Sequence, residues 1–142
     1  MEITKRPAVD FTRIFELPAY QQQKYPNARA LNGRQADSWK AYSVQEVQQR
    51  IDSVSTWLLE NGYGKGDRAL LVPLAGNPQW VLLDLACQQA GLVPVPLHPT
   101  LRAEEIEIII TETQPRLCFT ANRELAQTYD AIVQNRGTST SV

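Results

Sequence analysis

The stretch "GYGKGDRALLVPL" (62–74) sets three glycines, a lysine and an aspartate ahead of an apolar run. The order of elements around it decides the fold. A phosphate loop of the P-loop kind follows a strand, opens a helix, and has Ser or Thr directly after its lysine. Here the glycines come after the helical "YSVQEVQQRIDSVSTWLLEN" (42–61) and before the strand-like "RALLVPL" (68–74), and Lys65 is followed by Gly66. The segment therefore reads as a turn. Gly62 caps the helix, Gly64 and Gly66 permit positive φ, and Asp67 bonds to the local backbone.

Working outward, Val44, Val47, Ile51, Val54 and Leu58 recur at steps of three and four and line one helical face. Ser43 and Glu46 form an S-x-x-E capping box. Downstream, "NPQWVLLDLACQQAG" (77–91) reads as a helix with Asn77 at its N-cap, Pro78 in its first turn and Gly91 just past its end. "LVPVPL" (92–97) reads as a buried strand. "RAEEIEIIITETQ" (102–114) reads as a helix with acids in its first turn, although Ile108, Ile109 and Ile110 also suit a strand. "RLCFT" (116–120) is a third strand, and "NRELAQTYDAIVQN" (122–135) a last helix started by Asn122. Strands alternating with helices imply a parallel sheet with right-handed crossovers.

Upstream, "FTRIFELPAYQQQKYPN" (11–27) predicts a short helix near Thr12 to Tyr25, interrupted or restarted at Pro18 and stopped by Pro26. "ARALNGR" (28–34) and "SWKAYS" (38–43) suggest a hairpin around the polar turn "NGRQADS" (32–38). The expected fold is α/β: an N-terminal helix and hairpin followed by a βαβαβα parallel sheet with flanking helices.

At 142 residues, 43% hydrophobic and 20% charged, the chain is the size of one globular domain with a real core. Its 14 basic and 15 acidic residues nearly cancel, so the broad field that nucleic acid or an anionic membrane requires is missing. Cys87 and Cys118 lie in apolar surroundings with no Cys or His at metal spacing, and read as buried, reduced thiols. No apolar h-region follows the N-terminal basic residues, and no apolar run approaches a membrane span, which suggests a soluble, cytoplasmic protein. The polar tail "RGTSTSV" (136–142) is expected to be flexible and to mark a point of truncation.

Candidate chemistry is sparse. The sole histidine, His98, ends a predicted parallel strand, where ligand crevices open in such sheets, but no orienting carboxylate is evident. It is a weak crevice candidate, with a loop or packing role favoured. Asp84 is an acid in an apolar helix and reads as structural. Trp57 and Trp80 fall on amphipathic helices where core packing is the default, and Trp39 belongs to the hairpin, half buried. No catalytic triad, acid–base carboxylate pair or metal set can be assembled from the residue pattern.

Residues 39–120 nevertheless resemble the N-terminal part of AMP-forming acyl-CoA synthetases, the acyl-adenylate family. The resemblance is carried by Tyr42-Ser43 at the start of the first long helix, by "GKGDR" (64–68), "NPQW" (77–80) and "AGLVPVPL" (90–97), and by "HPTL" (98–101) with "EEI" (104–106). The last two look most like the long-chain fatty-acyl type. Arg102 departs from the family's usual capping Ser or Thr and leaves Thr100 as a substitute cap. The family's Ser/Thr/Gly-rich phosphate loop, its adenine and magnesium motif, its ribose-binding aspartate and its catalytic lysine have no counterpart in these residues.

The resemblance implies that residues 1–135 form the first subdomain of a ligase that uses ATP, magnesium and coenzyme A to convert a fatty acid to its acyl-CoA. On this reading no catalytic, cofactor-binding or metal-binding residue falls within the chain, and the fragment alone is inactive. Its partners are expected to be the missing remainder of the enzyme, or a second copy joined through an exposed sheet edge or apolar surface. The rival expectation is a stand-alone binding or interaction module of the same topology.

Overall fold

The computed structural model describes residues 11–35, 37–72 and 77–138. A 3₁₀ turn at Ile14–Glu16 leads into α1 (Leu17–Lys24). Pro18 sits in the first turn of α1, where a missing N–H costs nothing. The hairpin β1 (Leu31–Gln35) and β2 (Ser38–Tyr42) follows, then α2 (Val44–Glu60), β3 (Arg68–Val72), α3 (Gln79–Gln89), β4 (Val93–Pro96), α4 (Ala103–Thr113), β5 (Leu117–Thr120) and α5 (Arg123–Thr138).

Local signals account for most of these boundaries. Glu46 donates its N–H to Ser43 Oγ at 3.2 Å, and the Glu46 carboxylate accepts the Ser43 N–H at 2.7 Å, closing the capping box of α2. Gly62, just past the end of α2, takes φ +77°, and Gly91, just past α3, takes +84°. The periodic face of α2 is the buried one, with Val44, Val47, Ile51 and Leu58 all in the core.

The second sheet has the order β4-β3-β5, with both pairs parallel. The two crossovers thus run in opposite directions across β3, and crossovers of one hand then put α3 and α4 on opposite faces. The packing shows this residue by residue. Ala69 and Leu71 pack with Leu58, Cys87 and Ala90 under α2 and α3, whereas Leu70 and Val72 pack with Ile106, Ile110 and Tyr129 under α4 and α5. A strand buried on both faces shows no apolar alternation, hence the continuous run "ALLV". A third cluster, Tyr42, Val47, Ile51, Leu82, Leu85 and Ala86, ties the hairpin to α2 and α3.

Several expectations need correction. Asn32, Gly33 and Arg34 belong to β1 rather than to the turn, and Gly33 pairs with Lys40. A Cβ on Gly33 would lie 2.5 Å from Pro78 Cδ, so this glycine provides close approach to the start of α3. Residues 102–114 settle as helix because Ile106 and Ile110 are buried one turn apart while Ile108 faces solvent. Thr100 does not cap α4. Its hydroxyl meets His98, and Glu105 reaches back to the Arg102 N–H at 2.9 Å instead. Cys87 is buried but Cys118 is exposed, because β5 is an outer strand. Trp57 is 50% exposed, stacked on Tyr63, and Trp39 is 70% exposed. α5 runs to Thr138, so the first residues of the expected tail are helical, and 139–142 lie outside the described residues, as do Pro73 and Leu74 of the expected strand. No helix among the described residues is long and apolar enough to cross a membrane.

Candidate functional site

In a sheet ordered β4-β3-β5 the connections leaving β3 and β5 go to opposite faces, to α3 and α5 respectively. The crevice expected at such a switch point therefore lies between the C-terminal ends of β3 and β5. A small cavity is found there, about 40 Å³ in volume. Its walls are Leu71 and Val72 of β3, Phe119 and Thr120 of β5, and Asn77 and Trp80 at the start of α3.

The polar groups at this rim hold helix starts in place. Asn77 Oδ1 accepts the Gln79 N–H at 2.9 Å, and its carbonyl accepts the Trp80 N–H at 3.2 Å. Thr120 Oγ1 donates to the Asn122 carbonyl at 3.2 Å, while Asn122 Oδ1 accepts the Leu125 N–H at 2.9 Å and starts α5. The result is a rigid, largely apolar wall with two helix starts beside it. A larger open hollow of about 360 Å³, between α2 and α3, shares Gln79 and Leu83 with this cavity and is bordered by Arg50 and Ser53.

A nucleoside triphosphate with its metal does not fit the cleft that these residues form. The volume falls short of the several hundred Å³ usual for a small-molecule site. Among the described residues no group of three His, Cys, Asp or Glu side chains could hold a metal ion.

His98 lies past the end of β4, on the other side of β3 from this cavity, and is exposed. Its Nδ1 stands 2.8 Å from Thr100 Oγ1, a contact within one turn, and it is not among the residues lining the cavity. Asp84 is half-buried on α3, where burial raises its pKa, and accepts a bond from Gln88 Nε2 at 3.0 Å. One turn on, burial followed by the charge of Asp84 pushes the Cys87 thiol up to about 11, which leaves it unreactive at neutral pH. Asn77, Trp80 and Thr120, which build the cleft, were not legible as a site because strand order places them together.

The geometry agrees with comparison to known proteins. Residues 19–142 match the family described as AMP-binding enzyme. Long chain acyl-CoA synthetase 3 of Arabidopsis thaliana is 28% identical over 126 residues, which cover 85% of this chain and 19% of that protein. Among solved structures, VinN in complex with L-aspartate superposes with a TM-score of 0.75 at 23% identity, covering 85% of this chain and 33% of that one. The N-terminal subdomain of Klebsiella oxytoca NpsA, bound to 3-hydroxybenzoyl-AMSN, gives 0.67 at 18% identity, covering 79% of this chain and 27% of that one. The structural likenesses show a shared fold, and the chain spans about a fifth of the length of its Arabidopsis relative. With the family match running from Ala19 through Val142, the whole parallel sheet and its helices included, the chain belongs to the AMP-binding enzyme family.

Proposed function

We propose that these residues form the first subdomain of an AMP-forming fatty-acid–CoA ligase. The parent enzyme converts fatty acid, ATP and coenzyme A to acyl-CoA, AMP and diphosphate through an acyl-adenylate. The observation that carries this reading is a family match over 19–142 together with a long-chain acyl-CoA synthetase relative of which only 19% is covered. In this role the ends of β3 and β5 supply one wall of a cleft, while the groups that hold ATP, magnesium and coenzyme A come from the remainder of the enzyme. The chain alone is inactive, and the parent acts in the cytoplasm.

Calorimetric titration of the purified chain with ATP plus magnesium, with a fatty acid and with coenzyme A tests the first part. Silence in all three is expected. Saturable one-to-one binding of any of them would overturn it in favour of a stand-alone binding module. For the second part, a longer protein from the same gene should release AMP only when a fatty acid is supplied, and fatty-acid-independent behaviour would sink that assignment.

A further inference from the structure

The hairpin of β1 and β2 lends no residue to the cavity at the ends of β3 and β5, yet it abuts the helix that walls it. Gly33 of β1 is buried against the ring of Pro78. Pro78 stands between Asn77 and Gln79 and two residues before Trp80, all three of which line the cavity. The first turn of α3 has one short local bond, from the Gln79 N–H to Asn77 Oδ1 at 2.9 Å. Its N-cap residue, Pro78, has no side chain to accept a hydrogen bond, and the earliest main-chain bonds are long: 3.2 Å from the Trp80 N–H to the Asn77 carbonyl and 3.4 Å from the Leu82 N–H to the Pro78 carbonyl. The hairpin, by contrast, is anchored. Tyr42 of β2 is buried with Val47, Ile51, Leu82, Leu85 and Ala86, Leu31 of β1 packs on the same cluster, and the strand register fixes Gly33 opposite Lys40.

We propose that Gly33 is a positioning residue for the cleft, acting through Pro78 to set where Asn77, Gln79 and Trp80 stand on its wall. The backbone of β1 comes this close to the proline ring because residue 33 lacks a Cβ, whose nearest neighbours would be Pro78 Cδ and Cγ at 2.5 and 2.6 Å. A methyl group there must displace something, and close-packed interiors pass such a displacement on. The ring is rigid and the hairpin is held by its own cluster, so the displacement goes into the first turn of α3. There Asn77 and Trp80 form the cavity together with Val72, Phe119 and Thr120. The width of the cleft is thus set by a contact outside it. Both partners of that contact belong to this chain, and the positioning of the wall is independent of the acyl-activating reading; its consequence for turnover rests on that reading.

NMR of the 142-residue chain reads the cavity through nuclear Overhauser contacts from the Trp80 ring to Val72 and Phe119. Gly33→Ala should weaken these contacts, and Pro78→Ala, which withdraws the ring, should alter them as well. The double variant should restore the wild-type pattern, because a Cβ at position 33 lies 3.9 Å from Pro78 Cβ, an ordinary contact between two alanines. Gly64→Ala, with nothing within 4 Å of its built Cβ, is the control and should leave the pattern unchanged. If Gly33→Ala fails to fold, Pro78→Ala and the double variant decide the matter by themselves. Contacts that keep their wild-type strength while the variants merely melt earlier, or that the double variant does not restore, would overturn the inference. In a longer protein from the same gene, fatty-acid-dependent AMP release should fall about 10-fold or more in Gly33→Ala and recover in the double variant. AMP release unaffected by Gly33→Ala would overturn the consequence for turnover, whereas a wild type without such activity would count against the ligase reading alone.

Discussion

Arg116 and Asp67, 49 residues apart in the sequence, meet with Nη1 2.6 Å from Oδ2. The same Nη1 donates to the Gly62 carbonyl at 3.0 Å, and the guanidinium lies over the Tyr63 ring at 5.0 Å. Asp67 in turn accepts the Gly64 N–H at 2.9 Å. The start of β5 thus holds the "GYGKGDR" turn that feeds β3, at the end of the sheet opposite the cleft. A turn that resembles a phosphate loop in composition is here a strut between two parallel strands.

The strut predicts a pH dependence. The Gly64 amide, and after it Arg116, hold the Asp67 carboxyl below its ordinary value of 3.8. A lowered folded-state pKa contributes stability that is present above the ordinary value and is lost as pH falls through the folded value. Asp67→Asn should therefore melt below the wild type at neutral pH, and the gap should close in acid, where the wild-type carboxyl is also neutral. Thermal melts followed by circular dichroism at both pH values check this, and a gap that survives in strong acid would remove Asp67 ionisation as its source.

Gly33 faces Pro78 without room for a methyl group, the built Cβ lying 2.5 and 2.6 Å from Pro78 Cδ and Cγ. A proline ring cannot swing aside, so Gly33→Ala should cost about 1–3 kcal/mol by overpacking. Gly64→Ala is the control. Nothing lies within 4 Å of its built Cβ, and the change should stay within about 0.5 kcal/mol. Urea denaturation of both variants separates the outcomes.

Ile51 is fully buried in the cluster that joins hairpin, α2 and α3. Ile51→Ala should cost about 2–5 kcal/mol through lost burial and the cavity left behind. Ile108→Ala, at a side chain 63% exposed, should change stability by less than about 0.5 kcal/mol. Equal effects of the two in the same denaturation assay would contradict the helical phase of α4.

Ser43→Ala removes the hydroxyl that accepts the Glu46 N–H and should cost about 1 kcal/mol. The Glu46 carboxyl lies below its usual range chiefly because it accepts the Ser43 backbone N–H, with the hydroxyl second. Its pKa should rise in the variant yet remain below that of a free glutamate. Carbon-13 NMR titration of the carboxyl reads this directly, and a return to the free value would show that the backbone bond depends on the hydroxyl.

Most of the elements could be read from residues close together in the chain. Ser43 with Glu46, Gly62, Gly91 and Asn122 each act within one turn of the element they start or stop, and each stands where its local chemistry placed it, whereas α3 begins one residue later than expected, with Pro78 at the N-cap and Asn77 just before it. Gly33 misled for the opposite reason. A glycine after asparagine signals a turn, while the group that requires it is the ring of Pro78, 45 positions away. The default of core packing for a tryptophan on an amphipathic helix, and the apolar neighbours of Cys118 in the sequence, likewise assigned Trp57 and Cys118 to the interior, since residue type and sequence neighbours do not show whether another element covers a side chain.

The sequence by itself therefore determined the elements, their order along the chain and the parallel βαβαβα character of the sheet, because caps, turns and periodic faces depend on interactions spanning a few residues. Only the tertiary structure decided that β3 lies between β4 and β5. That order follows from burying both faces of "ALLV" at once, one under α2 and α3 and the other under α4 and α5. It puts the cleft beside Asn77 and Thr120, one strand away from His98.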